Sequence, residues 1–343
     1  MSGRGRLLAT LVLAAMVGTG AWALPVLRRQ RRVVAAIDPQ LRSPVVYAPA
    51  SFGPRITAVM RRLPDPPPTD TPGVTLDVVS VPPERGLQGV QVRTYDPPDR
   101  QRGGAVVLYL HGGGFVVGSA GQDDAICAAL ARRLGVLVVS VDYRLAPEHP
   151  FPAAHEDCLR ALRWLHARAD RLGIDPGRIG ITGESAGGGL AAGLVQRAVD
   201  EGIPVAFQHL VYPMLDDRTV RRAEQSGQWT AVWTPRSNRF GWASYLGHEP
   251  GLDDPAPYAV PARRTWLAGL PPTWIGVGAV DLFHDECVAY ADELRRSGVD
   301  CQLLVVPGMY HAAQRFAPAA PAARDFERER ERSLARGLGV ALT

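Results

Sequence analysis

Lysine is absent from all 343 residues, so each of the 38 basic side chains is an arginine. That removes Schiff-base chemistry and a Walker-type phosphate loop, both of which need a lysine amine. Acidic residues are missing from the first 32 positions, which carry Arg4, Arg6, Arg28, Arg29, Arg31 and Arg32. The net charge of +4 is a property of that end; beyond it 32 arginines face 34 acids. A body of slightly negative balance offers no basic face, and nucleic acid is excluded as a partner. Cysteine is scarce. Cys127, Cys158, Cys287 and Cys301 form no CxxC pair and have no histidine at zinc-site spacing, so no metal site is expected. They read as small buried residues, three on helices and Cys301 opening a strand.

Leu7 to Leu27 is an uncharged run of 21 residues. At about 1.5 Å per residue that run can cross a bilayer core of ~30 Å. Ala21-Trp22-Ala23 resembles a signal-peptide cleavage site, but Arg28, Arg29, Arg31 and Arg32 follow directly and resist translocation. The preferred reading is a retained anchor within residues 1–32, giving a membrane-associated protein whose main domain is cytoplasmic. A cleaved signal segment with secretion, or a helix docked on the domain, are the alternatives.

Residues 33–73 are rich in proline, with Pro64, Pro66, Pro67 and Pro68 close together, and read as a linker and irregular cover. From residue 74 to the end at 343, short β-branched runs alternate with helical stretches. Val74–Val81 and Val90–Tyr95 are expected as an antiparallel pair. Ala105–Leu110, Val136–Asp142, Arg178–Thr182, Val205–Tyr212, Thr273–Gly278 and Gln302–Val306 are apolar almost throughout, as parallel strands covered on both faces must be. Helices are expected at Asp123–Leu134, His155–Leu172 and Asp285–Ser297, with a solvated C-terminal helix around Arg324–Arg332. The fold class is therefore α/β, with a mostly parallel central sheet flanked by helices. Leu215 to Pro271 interrupts the alternation with Trp229, Trp233, Trp242, Tyr245 and Tyr258 and no strand of its own. An insertion of that length reads as a lid over a site.

Gly183-Glu184-Ser185-Ala186-Gly187 is a G-x-S-x-G pentapeptide between the strand at 178–182 and a helix with apolar Leu190, Leu194 and Ala198. A strand turning that sharply into a helix strains the serine, and the residues two before and two after it must lack a Cβ. Ser185 is thereby presented as a nucleophile at the end of the sheet, near a helix N-terminus that favours developing negative charge. His111-Gly112-Gly113-Gly114-Phe115 follows the strand 105–110, and three glycines can aim backbone N–H groups at one point, with the Ala186 amide as a further donor. The acid and base should follow in that order after later strands. Asp281 lies just beyond Thr273–Gly278, and His311 just beyond Gln302–Val306. Asp285 and Glu286 are rival acids but better suited to opening the next helix. Among the other histidines, His149, His155, His166, His209, His248 and His284 have no strand-end placement, and His111 belongs to the glycine turn.

HGGGF (111–115), YRLAPEHPFPA (143–153), GESAGGG (183–189), DLFHDE (281–286) and GMYH (308–311) together resemble the hormone-sensitive-lipase-type bacterial carboxylesterases, the α/β-hydrolase-3 group. The resemblance covers roughly residues 75–315. It implies the α/β-hydrolase fold, Ser185, Asp281 and His311 as the triad, and Gly113, Gly114 and Ala186 as oxyanion donors. It also implies a cap built from the N-terminal segment and the 215–270 insertion. Glu184 stands where the family usually has Asp, and Ala312-Ala313 where it usually has Gly-Phe. Membrane-tethered deacetylases of this type fit the N-terminal run.

The expected chemistry is hydrolysis of a small carboxylic ester, of short to medium acyl length, through a covalent acyl-serine and without cofactor or metal. An amidase or deacetylase on the same residues, and a catalytically silent ligand-binding protein on the same scaffold, are the competing readings.

Overall fold

Every residue from Ala105 to Leu110 is buried, and the same holds from Thr273 to Gly278, so neither stretch has a polar face to turn to water. Such segments are stable only inside a sheet covered on both sides. In the computed structural model, which describes residues 31–47, 51–62, 71–84, 86–226, 230–252 and 254–342, they are strands of one eight-stranded sheet. Its strands are β1 (Thr75–Val81), β2 (Val90–Asp96), β3 (Gly104–Leu110), β4 (Leu137–Asp142), β5 (Ile174–Glu184), β6 (Phe207–Val211), β7 (Thr273–Gly278) and β8 (Cys301–Val306). They lie in the order β1-β2-β4-β3-β5-β6-β7-β8. β1 and β2 pair antiparallel, β2 is antiparallel to β4, and every later pair is parallel.

The boundaries shift where local chemistry outweighs the hydrophobic run. β5 begins at Ile174, not Arg178, because Ile174 pairs with Gly104 before a register shift absorbs Asp175-Pro176-Gly177. The helix expected over 155–172 starts at Ala153 and stops at Ala167; Arg168 leaves the helical region at φ −115°, and a separate turn covers Ala169–Leu172. The helices Ala153–Ala167, Ala186–Asp200 and His284–Arg296 cover one face of the sheet, and Asp124–Leu134 with Pro321–Leu338 the other. The four cysteines are buried and unbridged, on helices at 127, 158 and 287 and at the first residue of β8.

Two pieces lie outside this frame and meet over its carboxyl edge. The insertion contains the helices Thr219–Ser226 and Pro235–Leu246 and, among the described residues, no strand. The N-terminal piece is helical at 31–36 and again at Pro54–Met60. It is tied to the insertion by Ser51 Oγ to Thr234 Oγ1 at 2.8 Å and by the Phe52 amide donating to Ser237 Oγ at 2.8 Å. It also reaches the segment after β8, where the Asp38 amide donates to the Gly308 carbonyl at 3.1 Å and Ser43 Oγ lies 3.0 Å from the Tyr310 hydroxyl. The uncharged run 7–27, the prolines at 64–68 and Trp229 fall outside the described residues. Among those described, no helix is long and apolar enough to cross a membrane.

Candidate active site

β5 ends at Glu184 and a helix begins at Ala186, so one residue must make the whole turn. Ser185 does it at φ 56°, ψ −119°, a conformation that costs a non-glycine residue roughly 1–3 kcal/mol. Neighbouring backbone holds it there. The Ser185 amide donates to the Val211 carbonyl at 2.9 Å, and its own carbonyl accepts from Gly189 and Met214, both at 3.0 Å. The glycines on either side answer to close approach. A Cβ on Gly183 would sit 2.2 Å from the Gly187 carbonyl oxygen, and one on Gly187 would sit 2.1 Å from that of Leu110.

Ser185 is 6% exposed. His311 follows β8 and places Nε2 3.0 Å from Ser185 Oγ. Its Nδ1 lies 2.8 Å from Asp281 Oδ2, and the other Asp281 oxygen accepts from the Phe283 amide at 2.9 Å. With Nδ1–H donated to Asp281, the lone pair sits on Nε2 and faces the serine hydroxyl. Phe283 and Tyr212 meet the imidazole edge-on, with ring centroids 5.2 and 4.8 Å away, and fix its plane. The structure thus brings together the three residues expected from the sequence as serine, acid and base.

The glycine turn lies alongside. A Cβ on Gly112 would be 3.5 Å from Ser185 Cβ, and one on Gly114 would strike the Trp233 ring of the insertion. Among the described residues, the amides of Gly113, Gly114 and Ala186 donate to no protein acceptor. His111 is fully buried, stacks on Tyr143 at 4.1 Å and bonds the Gly112 carbonyl through Nδ1 at 2.9 Å. It supports the turn. Phe115 stacks on Tyr245 at 4.0 Å and tilts against Trp242 at 5.4 Å, so the insertion's rings close over the glycine turn. Tyr258 does not join them; it lies over His155 and donates to Asp200.

The rivals have other duties. Asp285 is exposed beside His284. Glu286 does more than open its helix: its buried carboxylate accepts from the Leu215 amide at 2.7 Å and from the Thr219 hydroxyl, binding the root of the insertion. Burial pushes that carboxyl well up, although its hydrogen bonds oppose the change. His209 is packed between strand and helix against Trp274, and burial, reinforced by Arg330, pushes its imidazole down to about 3. His155 is likewise held down to about 4 by burial. Both remain neutral packing groups at physiological pH.

Sequence reasoning flagged Glu184 as unusual but missed what surrounds it. Glu184 is 1% exposed, and its Oε2 accepts from Tyr212 Oη at 2.7 Å and from Arg315 Nε and Nη2 at 2.9 and 2.6 Å. Its Oε1 lies 2.8 Å from Arg330 Nη1 and accepts from Tyr109 Oη at 3.0 Å. Arg315 also donates to Asp123 at 2.7 Å. Burial alone would raise the Glu184 carboxyl; Arg315, Arg330 and the Tyr212 hydroxyl outweigh it and hold the carboxyl well below its usual range. Arg315 and Arg330 had no local signal, since one lies in a single-turn helix after β8 and the other in a run of alternating charges.

A family of α/β-hydrolase fold proteins matches residues 107–315. Esterase LipI of Mycobacterium tuberculosis is 37% identical over 297 residues, 84% of this chain and 92% of that protein. Carboxylesterase NlhH of the same organism is 38% identical over 247 residues, 70% of this chain and 76% of that protein. A bacterial heroin esterase superposes with a TM-score of 0.78 at 37% identity, covering 89% of this chain and 99% of that one. On the sheet, the motifs and these relatives together, the chain belongs to the α/β-hydrolase fold family, in its hormone-sensitive-lipase-type group, and is a hydrolase enzyme.

Proposed function

We propose that this chain is a serine carboxylesterase for small esters of short to medium acyl length. The observation that carries the reading is the unbroken hydrogen-bonded path from Ser185 Oγ through His311 to Asp281, beside three unengaged amides. In this reading Ser185 Oγ attacks the ester carbonyl while His311 Nε2 takes its proton. The tetrahedral oxyanion is received by the amides of Gly113, Gly114 and Ala186, each worth on the order of 3 kcal/mol. His311 then returns the proton to the departing alkoxide, leaving an acyl-serine that water cleaves by the same steps in reverse. Asp281 keeps the imidazole tautomer. The names of the relatives, an esterase and a carboxylesterase, support ester as the substrate class. The catalytic domain is residues 74–343, capped by 33–73 and by the 215–270 insertion.

Phe115 is buried together with Trp233, Trp242 and Tyr245 of the insertion, and that closed aromatic wall supports the limit on acyl length. A panel of p-nitrophenyl esters from acetate to palmitate tests it, run beside the matching anilides. kcat/KM should peak at or below about eight carbons and fall at least tenfold by sixteen, since added methylenes must force an already filled pocket. Preference for palmitate would reject the length limit; faster cleavage of the anilides would replace esterase by amidase. For residues 7–27 the proposal remains a membrane anchor. Fractionating cells that express the chain with and without residues 1–32 should move the protein from the membrane to the soluble fraction, and an unchanged distribution would reject it.

A further inference from the structure

The segment carrying the base has little regular structure to hold it. After β8 ends at Val306, a short helix at Ala313–Phe316 is its first regular element, and Ala312 enters that helix at φ 56°. A loop so placed needs tethering if Nε2 is to stay 3.0 Å from Ser185 Oγ. Asp38 and Ser43 hold its first residues at Gly308 and Tyr310, and beyond the base two side chains of the short helix continue the tether. Gln314 Nε2 donates to Tyr212 Oη at 2.6 Å, and Arg315 forks onto Glu184, the residue immediately before Ser185. Tyr212 closes the circuit, since its hydroxyl donates to Glu184 while its ring packs edge-on against His311.

We propose that Glu184, Arg315 and Tyr212 form a positioning device that fixes the base relative to the nucleophile. Glu184 is coupled to Ser185 through one peptide bond, and Arg315 to His311 through the three residues between them, which begin at left-handed Ala312. Two donors of one rigid guanidinium converge on the same carboxylate oxygen, which constrains the direction of the arginine as well as its distance, as a single hydrogen bond does not. Arg330 and Asp123 hold the outer sides of the same pair, so neither member can swing to solvent. None of these groups touches the reacting atoms; they act through His311 and Ser185.

The inference rests on the proposed roles of Ser185 and His311, so its test starts from a wild-type protein shown to hydrolyse p-nitrophenyl butyrate. If that protein were inert, the esterase reading would fail first. Arg315→Gln should then lower kcat by roughly 10- to 100-fold with KM within about twofold, because misplacing a base by a fraction of an ångström costs rate and not binding. Arg315→Lys, which keeps the charge but not the fork, should recover only part of the loss. Tyr212→Phe keeps the ring on His311 and removes just the hydroxyl joint, so it stays informative if Arg315→Gln does not fold. It should lower kcat several-fold, again at constant KM. A folded Arg315→Gln with wild-type kcat, or a Tyr212→Phe protein with wild-type kcat where the first does not fold, would overturn the proposal. A rise in KM alone would also overturn it, placing Arg315 in substrate binding.

Discussion

Replacing Ser185 by alanine should lower the turnover of p-nitrophenyl butyrate at least ~10³-fold, since without its nucleophile a serine-hydrolase site keeps only what the oxyanion hole and binding contribute. In barrier height that is about 4 kcal/mol. The substitution is unusually clean here. The strained backbone of Ser185 is held by its own amide and carbonyl, through Val211, Gly189 and Met214, and alanine keeps all three bonds. Only the contact from Oγ to His311 Nε2 disappears. The variant should therefore melt within a few degrees of the parent and show the same circular dichroism. Fluorophosphonate labelling, which needs the hydroxyl, should be abolished. A folded Ser185→Ala protein that still hydrolyses the ester at the parent rate would remove Ser185 from the mechanism, and with it the reading of the whole constellation. Labelling of the parent protein also separates an enzyme from a silent binding protein on the same scaffold.

Much of this arrangement was legible in the sequence because strand ends and glycine spacings are local signals. G-x-S-x-G marks two positions within five residues that have no room for a Cβ, and the collisions at Gly183 and Gly187 are the physical content of that pattern. Asp281 and His311 were readable because each follows a run that is apolar almost throughout, so the topology of the sheet brings them to one edge. What the sequence hid is contact between distant segments. Arg330 sits in a stretch of alternating charge that reads as a solvated face, yet it is 1% exposed and points at Glu184. The alternation is real for Arg328 and Arg336, whose partners lie on the same helix surface. Phe326 and Arg330, one helical turn apart, are the positions of that run that turn inward, and a charge pattern by itself carries no phase information to say which charge is buried. Glu286 was obscured in the opposite way. Its position in the first turn of a helix already explained an acid, which left nothing to suggest that it also grips Leu215 and Thr219 across the sheet edge.

Glu184→Gln should cost about 3 kcal/mol of folding stability at neutral pH, the lower end of the range for removing one partner of a buried ion pair. The lower end applies because the two arginines are not equally dependent on it. Arg315 keeps Asp123 at 2.7 Å. Among the described residues Arg330 keeps only Glu327, at 3.3 Å, while its Nε and Nη2 are already buried there without partners. Most of the loss therefore falls on Arg330, left as a buried cation with one long contact. Removing the arginine as well should relieve the defect. Arg330→Met in the Glu184→Gln background is expected to restore most of the lost stability, since replacing a buried pair by apolar groups of similar volume is often close to neutral. Urea unfolding of the four proteins measures this, and additive losses in the double variant would refute it. The pH dependence has a definite sign. Because the Glu184 carboxyl is held below its usual range in the folded protein, its contribution is complete above the unfolded value of about 4.3 and drains away as pH falls below that. The gap between parent and Glu184→Gln should be constant from neutral pH to about 5 and close only in more acid solution. A gap that widened with acidification would mean that Glu184 is protonated in the native protein and that the arginines are neutralised by Asp123 and Glu327 instead.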